Sequence, residues 1–268
     1  MTADQTVLRL TDVTVRRGRR TILGPVDWRI GRGERWVVVG PNGAGKTTLV
    51  QIASTYLWPT TGSVEVLGER IGSVDSRELR RRIGYAGSGL ERAIPDNLTA
   101  HDVVLTARHA ALGPWWHSYG EGDRGRATAL LDRLGVGGLA DREFGLLSAG
   151  ERRRVQIARA LMPAPDLLLL DEPSASLDLG ARESLVRDLD GLASDRGLAA
   201  IVLVTHHVEE VPPGFGHALV LAGGRAVSAG PLDRALDGAS LSEAFGMPIR
   251  VDRVDGRVWA RLDDRRAN

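Results

Sequence analysis

The run Gly40, Pro41, Asn42, Gly43, Ala44, Gly45, Lys46, Thr47 constrains this chain more than any other segment. It fits the pattern G-x-x-x-x-G-K-[ST], a loop that works only between a strand and a helix. A compact apolar run, residues 36–39, precedes it, and residues 46–56 have helical length and spacing. Such a loop turns tightly on its glycines and exposes successive backbone N–H groups. The helix that follows directs its positive end toward the same anion. The group held there is a phosphate chain. Lys46 would reach the β- and γ-phosphates, the Thr47 hydroxyl would ligate Mg²⁺, and Thr48 would contact the α-phosphate.

Lys46 is the only lysine in the chain. A coding bias toward arginine would explain the depletion but not where the survivor stands. An ammonium is compact and sits on a thin stem, whereas a guanidinium is broad, planar and needs a fork-shaped partner. Composition narrows the rest. The net charge is +1, so overall charge gives no reason to expect direct nucleic-acid binding, and with no cysteine there are no disulfides or thiolate metal sites. The first five residues lack the basic start and apolar run of a signal peptide, and no apolar stretch approaches the roughly 18–20 residues of a membrane span. Any membrane role must come through a partner.

Short strands punctuated by glycine are expected at 7–10, 12–16, 26–30, 36–39 and 62–67. Helical patterns dominate from about residue 90 to 161, at 101–112, 125–134 and 150–161. Two apolar strands, 167–170 and 200–204, then bracket a helix over 181–196. Alternating strands and helices predict an α/β fold with a mainly parallel sheet covered on both faces. A short helix near 241–245 precedes a β-hairpin, 249–253 and 258–262, turning at Asp255 and Gly256. Its expected role is a stabilising cap.

Two neighbouring carboxylates, Asp171 and Glu172, close the strand 167–170. Side by side they repel unless a cation or a proton shares the site. Asp171 suits Mg²⁺, and Glu172 is placed to polarise an attacking water. About twenty residues earlier come Leu147, Ser148, Ala149, Gly150 and Glu151, followed by an arginine-containing helix.

At these residues the chain resembles the ATP-binding-cassette family, whose signature loop has the pattern LSGGQ. The resemblance spans residues 7–230 and implies a P-loop NTPase (RecA-like) core, an antiparallel β subdomain and an inserted α-helical subdomain at about 90–161, with 231–268 as a small extension. It implies a D-loop at Ser174, Ala175, Ser176, Leu177 and Asp178, a switch histidine at His206, and ATP with Mg²⁺ as ligands. It further implies that two cassettes pair head to tail, each ATP lying between one phosphate loop and the other subunit's Ser148 and Gly150. Glu172 would then be general base, Asp171 the Mg²⁺ carboxylate and His206 a γ-phosphate sensor. ATP shared in this way holds the dimer together, and hydrolysis releases it.

Four positions depart from the family pattern. Arg17 stands where an aromatic residue would stack on adenine; a guanidinium is also flat and can stack. The glutamine expected after Ile83, Gly84 and Tyr85 is missing, the aligned position being near Ser88. Ala149 and Glu151 replace glycine and glutamine in the signature loop, and His207 follows the switch histidine where aspartate is common. The leading expectation is the ATP-hydrolysing subunit of a membrane transporter, cytoplasmic and peripheral to the inner face of the membrane when bound to a permease. Two alternatives remain open here: a soluble cassette ATPase acting on nucleic acid, the ribosome or as a regulator, and a nucleotide-gated binding module with weak hydrolysis.

Overall fold

The computed structural model describes residues 6–109, 111–113, 117–175 and 177–263, without the side chain of Ser88. Two long strands open the chain, β1 (Thr6–Arg17) and β2 (Arg20–Gly31), followed by β3 (Arg35–Val39) and helix α1 (Lys46–Ala53). Next come β4 (Thr61–Val66), β5 (Glu69–Arg70), α2 (Ser76–Arg81), β6 (Ile83–Gly87) and the short α3 (Ser88–Glu91). Helices α4 (Ala100–Thr106), α5 (Glu121–Arg133) and α6 (Ala149–Leu161) are consecutive. Then follow β7 (Leu167–Asp171), α7 (Leu179–Ala193), β8 (Ala200–Thr205), β9 (His217–Ala222) and β10 (Arg225–Pro231). Helices α8 (Leu232–Ala235) and α9 (Gly238–Phe245) lead into the hairpin β11 (Ile249–Val254) and β12 (Arg257–Leu262).

The leucine run of β7 has no polar face because both sides of its sheet are covered. Leu168 and Leu170 pack with Val37, Val39, Ile201 and Leu203 against α4, α5, α6 and α7. Leu167 and Leu169 point the other way, with Trp36, Val38, Val202 and Val204, toward α1 and the strands β1, β2 and β4. This six-stranded sheet has the order β10-β9-β3-β8-β7-β6, parallel except where β10 pairs with β9. A second sheet, β2-β1-β4-β5, is antiparallel throughout.

The expected strands 7–10 and 12–16 are in fact one strand, β1. Asp12 adopts φ 50° and the pairing with β2 shifts between Leu10 and Val13. The extra residue changes the parity of the buried face, from Leu8 and Leu10 to Val13 and Val15, which is how a bulge keeps a long strand on one core. Gly24 and Pro25, which read as punctuation, lie inside β2. That strand is a sheet edge and Pro25 is exposed, so its missing N–H costs no ladder bond. The helix expected over 46–56 stops at Ala53. Strands β5, β6, β9 and β10 are not among the expected ones, β6 because its two glycines and alanine dilute the β-branched signal. Among the described residues no helix is long and apolar enough to cross a membrane.

Candidate functional site

Strands β3, β8 and β7 are adjacent and parallel, so their C-terminal ends emerge side by side. Ligands in such sheets bind in the crevice beyond the strand ends. The loop of residues 40–45 leaves β3, Asp171 and Glu172 end β7, and His206 follows β8. This topology brings together residues about 125 positions apart in the chain.

The loop is held in shape by close packing. A methyl group on Gly40 would lie 2.1 Å from the Leu221 carbonyl oxygen of β9, so only glycine fits. Gly45 takes φ 97° and begins α1 without a side-chain cap, and the first turn of α1 has no acidic residue. The other described helices of eight or more residues have an aspartate or serine cap, or acidic residues in the first turn. The first N–H groups of α1 are thus left for an external anion. A cavity of about 310 Å³ lies there, lined by Asn42, Gly43, Gly45, Lys46, Thr47, Thr48, Glu172 and Ile22.

Lys46 is 4 % exposed. Its ammonium donates to the carbonyls of Gly40 (2.8 Å) and Pro41 (3.1 Å) and lies 3.5 Å from Glu172 Oε1. Burial pushes its pKa down, and the Glu172 charge opposes the shift. The same Glu172 oxygen lies 3.4 Å from His206 Nδ1. Glu172 holds φ 50°, an uncommon conformation for a residue with a side chain, fixed by its N–H bond to the Val204 carbonyl (2.9 Å). Asp171 is buried, and desolvation raises its pKa while the Thr47 hydroxyl, 3.4 Å away, and Lys46 oppose the rise. A desolvated carboxylate beside a hydroxyl is a pair of hard oxygen donors suited to a divalent cation.

Not all the expected site residues meet here. Arg17, the expected base-stacking group, is exposed at the end of β1 and is not among the residues lining this cavity. Ile22, three positions past the β1–β2 turn, lines it instead, and no motif pointed to it. Ser148 and Gly150 also lie elsewhere. Ser148 caps α6 by accepting from the Glu151 N–H, while Glu151 accepts from the Ser148 N–H (2.7 Å). A methyl group on Gly150 would meet Leu177 and Ala181, beside the start of α7. Of the expected D-loop, Ser176 lies outside the described residues, as does the side chain of Ser88. Tyr85 was not singled out for its chemistry: burial, then the Asp171 charge, holds its phenol protonated well above the usual range.

A phosphate-gripping loop with paired carboxylates and a histidine at neighbouring strand ends defines a nucleoside triphosphatase of the P-loop class. The family model for the ABC transporter matches residues 23–175, more than half of the chain. The chain belongs to that family and is an ATP-binding, ATP-hydrolysing subunit of an ABC transporter. It is 37 % identical over 246 residues to YlmA, an uncharacterised ABC transporter ATP-binding protein of Bacillus subtilis (strain 168), covering 91 % of this chain and 93 % of that one. The ATP-binding cassette MJ0796, solved as a dimer in a post-hydrolysis state with ADP and Pi, superposes with a TM-score of 0.73 at 26 % identity, covering 84 % of this chain and 98 % of that one. The ADP conformation of the cassette MJ1267 gives 0.75 at 22 % identity, over 90 % and 97 %, a likeness of fold.

Proposed function

We propose that this chain hydrolyses ATP in a head-to-tail dimer, with Glu172 as general base and His206 as the sensor of the γ-phosphate. The observation that carries this reading is the position of one oxygen: Glu172 Oε1 is 3.5 Å from the Lys46 ammonium and 3.4 Å from His206 Nδ1. Lys46 would leave its carbonyl partners for the β- and γ-phosphates, with residues 40–48 cradling the chain of phosphates. Glu172 takes the proton from the attacking water. His206 orients Glu172 and contacts the γ-phosphate.

Thr47 and Asp171 would hold Mg²⁺, which keeps several waters and needs only one or two protein oxygens beside the phosphates. Bound there, the ion would neutralise phosphate charge. The partner cassette supplies Ser148 and Gly150, a reading supported by their absence from the residues lining the cavity in a single chain and by the dimeric state of MJ0796. Residues 7–230 act as the cassette, with an inserted helical subdomain at about 90–161 and an extension at 231–268.

The membrane partner is a permease, and the chain is peripheral to the inner face of the membrane. A second cavity, about 590 Å³, supports a docking face; it is lined by Tyr56, Arg80, Tyr85, Leu90, Leu112 and Arg159. It is larger than the cavity at the phosphate loop, yet it lacks the carboxylates and loop N–H groups that the chemistry requires.

Replacing Glu172 with Gln keeps the shape of the site and removes the base. Phosphate release should fall at least about a hundredfold, and ATP-bound dimers should accumulate in sedimentation velocity. Unchanged phosphate release would remove Glu172 from this role.

A further inference from the structure

The C-terminal hairpin reaches the back of the catalytic machinery. Its turn, Asp255 and Gly256, has positive φ at both residues (50° and 76°), which sets the two strands tightly and presents Arg257 at the start of β12. Val258 is buried in the same core as Leu185 and Leu189 of α7 and Val208 and Val211 after β8. The hairpin is therefore packed against this end of the cassette.

Arg257 makes a forked contact. Both terminal nitrogens bond the Glu183 carboxylate of α7, and one of them also donates to the backbone carbonyl of Glu209. A guanidinium can make such a planar, three-bond clamp, and its orientation is fixed by the carboxylate. Glu209 belongs to the one-turn 3-10 helix Val208–Glu210, which begins two residues past His206.

The next residue carries the connection inward. Glu210 is 4 % exposed, and among the described residues no cation pairs with it. Its Oε2 accepts hydrogen bonds from Ser174 Oγ (2.6 Å) and from Thr205 Oγ1. Thr205 Oγ1 in turn accepts from the His207 N–H (3.0 Å). Ser174 lies two residues after Glu172, and Thr205 immediately precedes His206. One buried carboxylate thus ties the segment carrying the general base to the segment carrying the histidine. A buried polar group is costly unless hydrogen-bonded, and these two bonds hold the Glu210 side chain between the two segments.

We propose that Glu210 and Arg257 are positioning residues for ATP hydrolysis: Glu210 joins the segments of Glu172 and His206, and Arg257 clamps the turn that carries Glu210. Neither touches the reacting atoms. This rests on the roles given above to Glu172 and His206. The hairpin then does more than cap the fold; it sets the spacing on which turnover depends.

The test uses the full-length chain with MgATP, measuring phosphate release and, separately, affinity for a fluorescent ATP analogue. In Arg257→Ala, kcat should fall about tenfold, as displacement of a positioned group does, while nucleotide affinity stays within about twofold and KM does not rise. Arg257→Lys, which keeps a donor for the Glu209 carbonyl, should recover part of the loss. Arg261→Ala, an exposed arginine on the same strand paired with Asp252, should turn over like the parent. If Arg257→Ala folds poorly, Glu183→Gln removes the orienting charge at constant size and is judged by the same measure. A kcat within about threefold of the parent, or a loss of ATP affinity in step with kcat, overturns the proposal. If Glu172→Gln is inactive and Arg257→Ala is not impaired, the clamp alone is wrong. If Glu172→Gln remains active, the assignment of the site itself is wrong.

Discussion

Lys46 shows how much one side chain can be constrained by its surroundings. It is almost fully buried, bonded to two loop carbonyls and close to Glu172, in a cavity lined otherwise by Ile22, Asn42, Thr47, Thr48 and two loop glycines. A guanidinium there would need more width and a different set of acceptors. Lys46→Ala should therefore weaken ATP binding by at least about tenfold, equivalent to one lost charge-assisted contact, as read by calorimetry. Lys46→Arg should fail nearly as badly although it keeps the charge. Parental affinity in Lys46→Arg would show that charge, not shape, selects this residue.

Among the helices, the start of α6 is where charge and capping can be separated. Ser148 and Glu151 cap it reciprocally, and the Ser148 N–H bond holds the Glu151 carboxyl below its usual pKa. A depressed folded value means the contribution is complete above the unfolded value of about 4.3 and is lost as pH falls through the lower folded value. Glu151→Ala should lower stability by about 1 kcal/mol or less at pH 6. The difference in Tm between parent and variant should close as the pH is taken below 4. A difference that persists unchanged in acid would mean the side chain acts by packing and not as an ionised cap.

For the molecule as a whole, Ser148 is not among the residues lining the phosphate-loop cavity of one chain, and the proposed head-to-tail dimer would complete each site from two chains. Lys46→Ala and Ser148→Arg chains should each hydrolyse poorly alone. Mixed, they form a heterodimer in which the intact Lys46 of one faces the intact Ser148 of the other, and phosphate release should recover in part. A mixture no more active than its components would argue against a shared site. The comparisons place the chain among ABC transporter ATP-binding subunits, so the soluble-regulator and binding-module readings have no observation in their favour.

The phosphate loop was readable from residues alone because its chemistry is local: eight consecutive residues fix the turn, the N–H groups and the lysine. The apolar runs of β3, β7 and β8 were equally plain, since strands buried on both faces must be apolar throughout. The resemblance also named Glu172 and His206, but not the contact between them, which depends on β7 and β8 being neighbours. Ile22 in the cavity, the bulge at Asp12 and the Glu210 network required the tertiary structure, because each joins segments whose separation along the chain says nothing of their distance in space. The hairpin was visible as two strands and a turn from Asp255 and Gly256. That Arg257, the first residue of β12, grips the turn beside His206 was decided only when the folded core brought α7, β8 and β12 together.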